Sequence, residues 1–187
     1  MSILPIHDSA SRRTFLKTLC GTAAASCLAS VNSRADEPPA RMPIGFSLYG
    51  MKSVPVADAL KVCSEIGYEC VELAVMADWP CAPEKLSAAQ RRELRQQLED
   101  LHLQPVALME NLPLAVDGEK HRDNLDRFKR AFELSRDLAP QQTPLIETIL
   151  GGSPDKWGML KDKFVERLRD WSAVAAEHKS IIAIKAH

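Results

Sequence analysis

Cysteine is scarce in this 187-residue sequence, which contains five of them and no Cys-x-x-Cys or His-x-x-x-His spacing. Without the N-terminal export signal described below, only Cys63, Cys70 and Cys81 remain. An odd number of cysteines without metal-type spacing argues against a disulfide framework and against a metal centre built from a local motif. Cys63 on the apolar face of a helix and Cys70 in a strand are predicted to be buried, small hydrophobic side chains.

Long hydrophobic runs, basic patches and a glycine-rich phosphate loop are also missing. The apolar stretch from Thr18 to Val31 has about fourteen residues, whereas a helix that spans a bilayer needs roughly 20. Lysine and arginine number 24 against 25 acidic residues and form no basic patch, which argues against nucleic acid as a partner. Residues 50–55 after the first predicted strand read Gly-Met-Lys-Ser-Val-Pro, unlike a dinucleotide-binding loop.

The N-terminal 35 residues have the pattern of an export signal. A twin-arginine sequence from Ser11 to Lys17 precedes the apolar stretch, and a small-residue cleavage pattern follows at 33–35. Lipid attachment at Cys27 is a weaker alternative. Cleavage leaves 20 basic and 24 acidic residues, a net charge of −4. We therefore predict an exported protein, periplasmic or extracellular and free of the membrane after cleavage, with a linker at 36–42 and a folded domain at 43–187.

Five short apolar runs alternate with four amphipathic helical stretches. The runs, which are bounded by Gly or Pro as buried parallel strands tend to be, are 44–49, 68–73, 104–109, 143–150 and 180–187. Gly67 is a predicted helix stop, Ser87 and Gln90 form a capping-box pattern, and Ser153-Pro154 predicts an N-cap. The expected buried helix faces are Val56, Ala59, Leu60, Cys63 and Ile66; Leu94, Leu98 and Leu101; Leu125, Phe128, Phe132, Ser135 and Leu138; Trp157, Leu160, Phe164, Leu168 and Trp171.

This alternation predicts an α/β fold with a parallel sheet. One candidate is an open, five-stranded doubly wound sheet, which calls for a phosphate-binding loop and a helix to cover the fifth strand. The other is the first five strands of an eight-stranded (β/α)8 barrel, truncated after strand five, since a whole barrel needs about 250 residues. The sequence has neither feature of the open sheet, so the partial barrel is the favoured fold.

Several segments resemble the xylose isomerase-like TIM barrels, a group of sugar phosphate isomerases and epimerases to which endonuclease IV is distantly related. The segments are Ile-Gly-Phe-Ser-Leu-Tyr at 44–49, Ile-Gly-Tyr at 66–68 leading into Cys-Val-Glu-Leu at 70–73, and Ala-Ala-Glu-His at 175–178. The resemblance covers residues 44–187. It implies proton abstraction next to a carbonyl by a carboxylate, with a divalent metal (manganese, magnesium or zinc) that polarises the carbonyl.

Barrel active sites lie at the carboxyl ends of the strands, where five candidate side chains are expected: Glu72, Glu110, Glu147, Lys185 and His187. Glu72, Glu147 and Lys185 are the predicted catalytic residues. Glu72 could instead be a structural partner of a neighbouring strand, and Glu110 either a substrate ligand or a solvated loop residue. Glu147 lies within an apolar strand and needs a partner, because an isolated buried carboxylate is costly.

The turn Gly151-Gly152-Ser153 precedes a predicted helix start, where free N–H groups bind phosphate or carboxylate. The same glycines could equally serve a tight turn. The resemblance implies metal ligation by Glu147 and His187, but Lys185 occupies a position where many relatives have a glutamate ligand. A lysine does not bind a hard cation, so it could instead pair with Glu147. His102, His121 and His178 lie at a helix end or on polar helical stretches, where solvated side chains are expected.

The leading prediction is an exported sugar or sugar phosphate isomerase or epimerase, incomplete in this chain, whose partner is a small carbohydrate. One alternative is a sugar-binding barrel without catalysis, which Lys185 favours. Another is a metal-dependent hydrolase of the endonuclease IV type, for which these strands lack the histidine ligands. Residues 36–187 alone are expected to be inactive and to self-associate through the open edges of the first and fifth strands.

Overall fold

Five parallel strands form the sheet that the computed structural model describes within residues 41–185. They are β1 (Gly45–Ser47), β2 (Cys70–Ala74), β3 (Gln104–Met109), β4 (Leu145–Ile149) and β5 (Ile182–Lys185). The predicted export signal, most of the predicted linker and His187 lie outside the described residues. The predicted strands are all present, and β3 has the predicted bounds. β1 and β4 are shorter than predicted, β2 begins and ends later than the predicted 68–73, and β5 begins two residues later than predicted.

Four α-helices connect the strands: α1 (Val56–Ile66), α2 (Ala88–Asp100), α3 (Gly118–Leu138) and α4 (Trp157–Glu177). Gly67 ends α1 in the left-handed conformation with φ of 95°, and the capping box of Ser87 and Gln90 begins α2. Both local predictions are confirmed. Short 3₁₀ turns precede α1, α2 and α4 at Leu48–Met51, Pro83–Lys85 and Pro154–Lys156.

The strand order distinguishes the two predicted folds. The order is β1-β2-β3-β4-β5, and each neighbouring pair is parallel. Right-handed crossovers that always advance in one direction leave their helices on one face of the sheet, as in a barrel. A doubly wound sheet reverses its strand order and carries helices on both faces. The barrel prediction is confirmed, and the open doubly wound alternative is wrong.

The core lies between the helices and one face of the sheet. Val71, Leu73, Leu108 and Ile146 are fully buried there, and the Phe128 ring meets Trp171 edge to face with centroids 4.7 Å apart. Every second residue of a strand lies on this face, so the residues between them lie on the opposite face. Cys63 and Cys70 are buried free thiols, as predicted, and Cys81 is buried too.

Three side chains depart from the predicted pattern. Trp157, at the first position of α4, is 52% exposed, although its ring also contacts that of Phe164, with centroids 6.0 Å apart. Ile66 is exposed at the last position of α1. His121, predicted to be solvated, is only 7% exposed, and its Nε2 lies 2.9 Å from Asp170 Oδ2. Periodicity identifies a helix face, but the neighbouring elements decide how far along the helix that face is covered.

Among the helices of the described region, none is both long and apolar enough to cross a membrane.

Candidate functional site

Polar side chains gather on the face of the sheet opposite the helical layer. Glu72 lies between Val71 and Leu73, which face the helices, and it pairs in register with Ser47 of β1. Glu147 and Lys185 lie on the same face, since Glu147 pairs with Ala183 and Lys185 follows two residues later. Because the strands are parallel, these residues lie towards the same edge of the sheet, where barrel active sites form.

Glu147 and Lys185 form an ion pair across neighbouring strands. Lys185 Nζ lies 2.6 Å from Glu147 Oε1, with the carboxylate side chain 13% exposed and the lysine side chain 48% exposed. The predicted pairing of these two residues is confirmed. Glu147 Oε1 is itself buried, so the Lys185 ammonium group is the partner of this oxygen among the described residues.

Glu72 is held beside this pair. The Ser47 hydroxyl donates to Glu72 Oε1 over 2.5 Å, and the Glu72 and Glu147 side chains lie close enough to interact. On the intervening strand β3, Ala107 is in register with Glu72 and Met109 with Glu147. The contact therefore spans three strands.

The chemistry of the cluster follows from this contact. Burial raises the pKa of Glu72 to about 7, the hydrogen bond and charge of Glu147 act in the same direction, and Ser47 and Lys185 act against them. With a pKa of about 7, Glu72 is present in both its protonated and its ionised form near neutral pH, so it can act as an acid or as a base there. Lys185 adds an ammonium group beside Glu147.

A divalent metal, which the family resemblance implied, does not fit the described residues. Within residues 41–185 no three His, Cys, Asp or Glu side chains are grouped to hold a metal ion. Glu72 and Glu147 supply carboxylates, but the Lys185 ammonium is already in contact with Glu147 Oε1. An ammonium group offers hydrogens and no lone pair to a cation. His187, the other predicted ligand, lies outside the described residues.

Glu110 belongs to a second, separate charge cluster. Glu110 is only 1% exposed, so the alternative that it is a solvated loop residue is wrong. Glu110 Oε1 accepts from Arg127 Nη2 over 2.6 Å, and the same guanidinium contacts Glu84 Oε1 at 3.1 Å and the Val75 carbonyl at 3.2 Å. Burial raises the pKa of Glu110 to about 7 although Arg127 opposes the shift. The cluster joins β3, α3 and the loop after β2.

The predicted anion-binding turn has a structural reason for its glycines. Gly151 and Gly152 have φ of 66° and 89°, and a Cβ on Gly152 would lie 3.2 Å from the Phe164 ring. The Ser153 hydroxyl hydrogen-bonds Asp155 over 3.1 Å and does not cap the helix. The groove here, about 370 Å³, has no lysine or arginine among the described residues that line it. Phosphate binding at 151–153 stays a prediction.

Sequence reasoning missed the partners that hold these acids. Ser47 could have been found from its place at the end of β1, beside the strand that carries Glu72. Arg127 immediately precedes Phe128 of the predicted buried stripe, so helical spacing places it at the border of the core. His121 and Asp170 are separated by 49 residues, and no local pattern indicates their contact.

Comparison with known proteins agrees with the architecture. A family model of xylose isomerase-like TIM barrels matches residues 60–187, more than half of the chain. A search of the curated proteins finds no significant match.

Several solved structures share the fold. An IolI protein with a bound zinc atom has 19% identity and a TM-score of 0.61, over 78% of this chain and 51% of that one. The probable 3-DHS dehydratase AsbF of Bacillus anthracis has 18% identity and a TM-score of 0.62, over 76% and 52%. A xylose isomerase-like TIM barrel protein of Mycobacterium smegmatis in complex with magnesium has 19% identity and a TM-score of 0.54, over 76% and 54%.

The chain thus spans about half the length of these structures, and at such identities the likeness concerns the fold alone. The family model and the strand order agree, and this chain belongs to the xylose isomerase-like TIM barrel family.

Proposed function

We propose that this chain carries the proton-transfer centre of an enzyme that isomerises or epimerises a sugar or sugar phosphate. The observation that supports the proposal is the convergence of Glu72, Glu147 and Lys185 towards the carboxyl ends of their strands, with Lys185 Nζ 2.6 Å from Glu147 Oε1. Such a centre contains the base, the acid and the positive charge that proton transfer next to a carbonyl requires.

In this proposal the ionised carboxylate of the Glu72–Glu147 pair takes the proton from the carbon next to the substrate carbonyl. The C–H electron pair becomes the C=C bond of an enediolate, and the carbonyl π pair moves to oxygen, which accepts a hydrogen bond from Lys185. The other carboxyl group supplies the returning proton. Because the two acids are in contact, this proton returns from the same side; its return to the former carbonyl carbon, with transfer of the adjacent hydroxyl proton, gives isomerisation. Epimerisation instead requires that a proton from solvent reach the opposite face of the original carbon.

Solvent isotope exchange tests this proposal. The full-length protein is incubated in D₂O with a panel of aldoses, ketoses and their phosphates, and deuterium at the carbon next to the carbonyl is measured by NMR. We expect exchange with at least one compound and a loss of at least about 100-fold in Glu147→Gln and in Glu72→Gln. Glu133→Gln, on the exposed side of α3, is the control. Equal exchange in all four proteins would contradict the proposal.

A second candidate is a sugar-binding barrel without catalysis. It is supported by the position of Lys185, whose ammonium group makes the described donor set unsuitable for a metal that would polarise a carbonyl. Titration calorimetry with the same panel of sugars separates the two candidates. Binding with no deuterium exchange supports the binder, whereas binding with exchange that depends on Glu147 supports the enzyme.

We also propose that residues 1–35 direct export by the twin-arginine route and that the signal is cut after Ala35. The support is the sequence pattern around Arg12 and Arg13 and the small residues before the cut. Replacing both arginines by lysine should retain the precursor in the cytoplasm, as measured by fractionation. Unchanged export would indicate a different export route.

A further inference from the structure

The charge cluster of the candidate site already contains a cation. Lys185 Nζ contacts Glu147 Oε1 at 2.6 Å, and Glu147 in turn contacts Glu72. We propose that the Lys185 ammonium group takes the place of a divalent metal in this centre, so that the protein works without one and binds Mg²⁺, Mn²⁺ or Zn²⁺ only weakly at these carboxylates. The catalytic role that this inference gives to Lys185 rests on the proposed function. The metal-binding test below does not depend on that function.

The charge balance of the cluster supports this inference. The Lys185 ammonium group lies 2.6 Å from Glu147 Oε1 and offsets the negative charge of that carboxylate. A divalent ion bound to the same oxygen would have to displace the ammonium group from its contact. Like charges held this closely repel strongly in a partly buried site. A metal therefore competes with a cation that is covalently part of the chain.

The backbone keeps this cation in position. Lys185 pairs in register with Ile149 on β4, two residues beyond Glu147, so its side chain reaches back along the neighbouring strand to the carboxylate. A lysine side chain is charged across the physiological range, and the position of this one is set by the chain and does not depend on the concentration of any ion.

The class of ligand follows from the chemistry of the ammonium group. It donates hydrogen bonds and does not act as a Lewis acid. About half of the Lys185 side chain is exposed, and an ammonium group has three hydrogens to donate. A ligand that presents a carbonyl or anionic oxygen to Lys185 matches this group. A hydroxycarbonyl compound such as a sugar has such an oxygen.

Metal binding to the full-length protein, measured without substrate, tests the inference. The protein is stripped with a chelator, and Mn²⁺ binding is followed by calorimetry and by electron paramagnetic resonance. We expect weak binding by the wild type and at least tenfold tighter binding by Lys185→Glu, which supplies a third carboxylate. Adding Glu147→Gln to Lys185→Glu should abolish the gain. Lys161→Glu, on the exposed surface of α4, is the control for added negative charge and should leave Mn²⁺ binding unchanged.

Lys185→Gln covers the case in which Lys185→Glu does not fold, which circular dichroism would reveal. The glutamine removes the cation without adding a charge, so Mn²⁺ binding should again become tighter than in the wild type. Tight, stoichiometric Mn²⁺ binding by the wild type that neither substitution strengthens would overturn the inference. That result would leave the proposed function intact if deuterium exchange still depended on Glu147. Conversely, Lys185→Glu could bind Mn²⁺ more tightly while the wild type shows no deuterium exchange with any sugar. That result would refute only the proposed function.

Discussion

Two charge clusters of this chain each contain a glutamate whose pKa is raised to about 7, yet they differ in almost every other respect. Glu110 is fully buried against the Arg127 guanidinium, which also contacts Glu84 and the Val75 carbonyl. Glu72 lies beside a second acid, Glu147, on the polar face of the sheet. The first cluster connects elements of the barrel wall, and the second connects the ends of β1, β2, β4 and β5.

The difference lies in what remains available for a ligand. The Arg127 guanidinium directs its donors at three acceptors of the protein, so this cluster is closed. In the other cluster the Lys185 side chain is half exposed, so a ligand can reach it. A raised pKa alone therefore does not mark a site, because burial in a closed ion pair produces the same shift. The exposed cation beside the two acids is the more informative feature.

Removal of the arginine should have the largest effect. Arg127→Met leaves the Glu110 carboxylate buried without its partner, a change that typically costs about 3 to 5 kcal/mol of stability. Urea unfolding at pH 7.5 measures it, and the loss should be smaller at pH 5.5, where Glu110 binds a proton. Arg122→Met, exposed on the same helix, should change stability by less than about 0.5 kcal/mol. Equal losses of stability in the two variants would contradict a stabilising role of the buried Arg127–Glu110 pair.

The next largest effect should be the pH dependence of the free energy of unfolding that Glu110 causes. The pKa of Glu110 rises from an ordinary 4.5 to about 7 on folding. The folded protein therefore binds this proton more tightly, so the stabilisation is complete below pH 4.5 and is lost as the pH rises to 7. Relative to Glu110→Gln, the wild type should lose roughly 1 to 3 kcal/mol between pH 4.5 and 7.5. Urea unfolding at both pH values measures this difference. Glu133→Gln is the control at an exposed position. If the difference in unfolding free energy between the wild type and Glu110→Gln did not change with pH, the raised pKa of Glu110 would be contradicted.

Loss of the serine hydroxyl should have a smaller effect on the open cluster. Ser47 donates to Glu72 and lowers its pKa, so Ser47→Ala should raise that pKa further and cost about 0.5 to 1.5 kcal/mol. The titration of Glu72 can be followed by carbon-13 NMR of the side-chain carboxyl groups. Ser53→Ala, at an exposed loop position, should leave the titration unchanged. A lowered pKa in Ser47→Ala would contradict the geometry.

Removal of the lysine should have the smallest effect on stability. Lys185 is half exposed, and ion pairs with a solvated partner contribute about 0 to 1 kcal/mol. Lys185→Met should therefore unfold at nearly the same urea concentration as the wild type, in contrast to Arg127→Met. A loss as large as that of Arg127→Met would place Lys185 among the structural residues of the barrel.

Local signals in the sequence account for much of this fold. Five alternating apolar runs, the αL glycine after α1 and the capping box of α2 depend on interactions within a few residues, and each is confirmed. The ends of elements were less predictable. Ser47 accepts a hydrogen bond from the Tyr49 N–H and begins a 3₁₀ turn, so β1 ends before Leu48 although the apolar run continues to Tyr49.

The sequence by itself determined the alternation of strands and helices and the presence of Glu72, Glu147 and Lys185 near strand ends, because side-chain periodicity and turn chemistry act locally. Only the tertiary structure decided which acid has which partner. Glu110 and Arg127 are 17 residues apart, and Arg127 and Glu84 are 43 apart; Glu72 meets Glu147 across an intervening strand. Such contacts depend on strand order and register, which are properties of the assembled sheet.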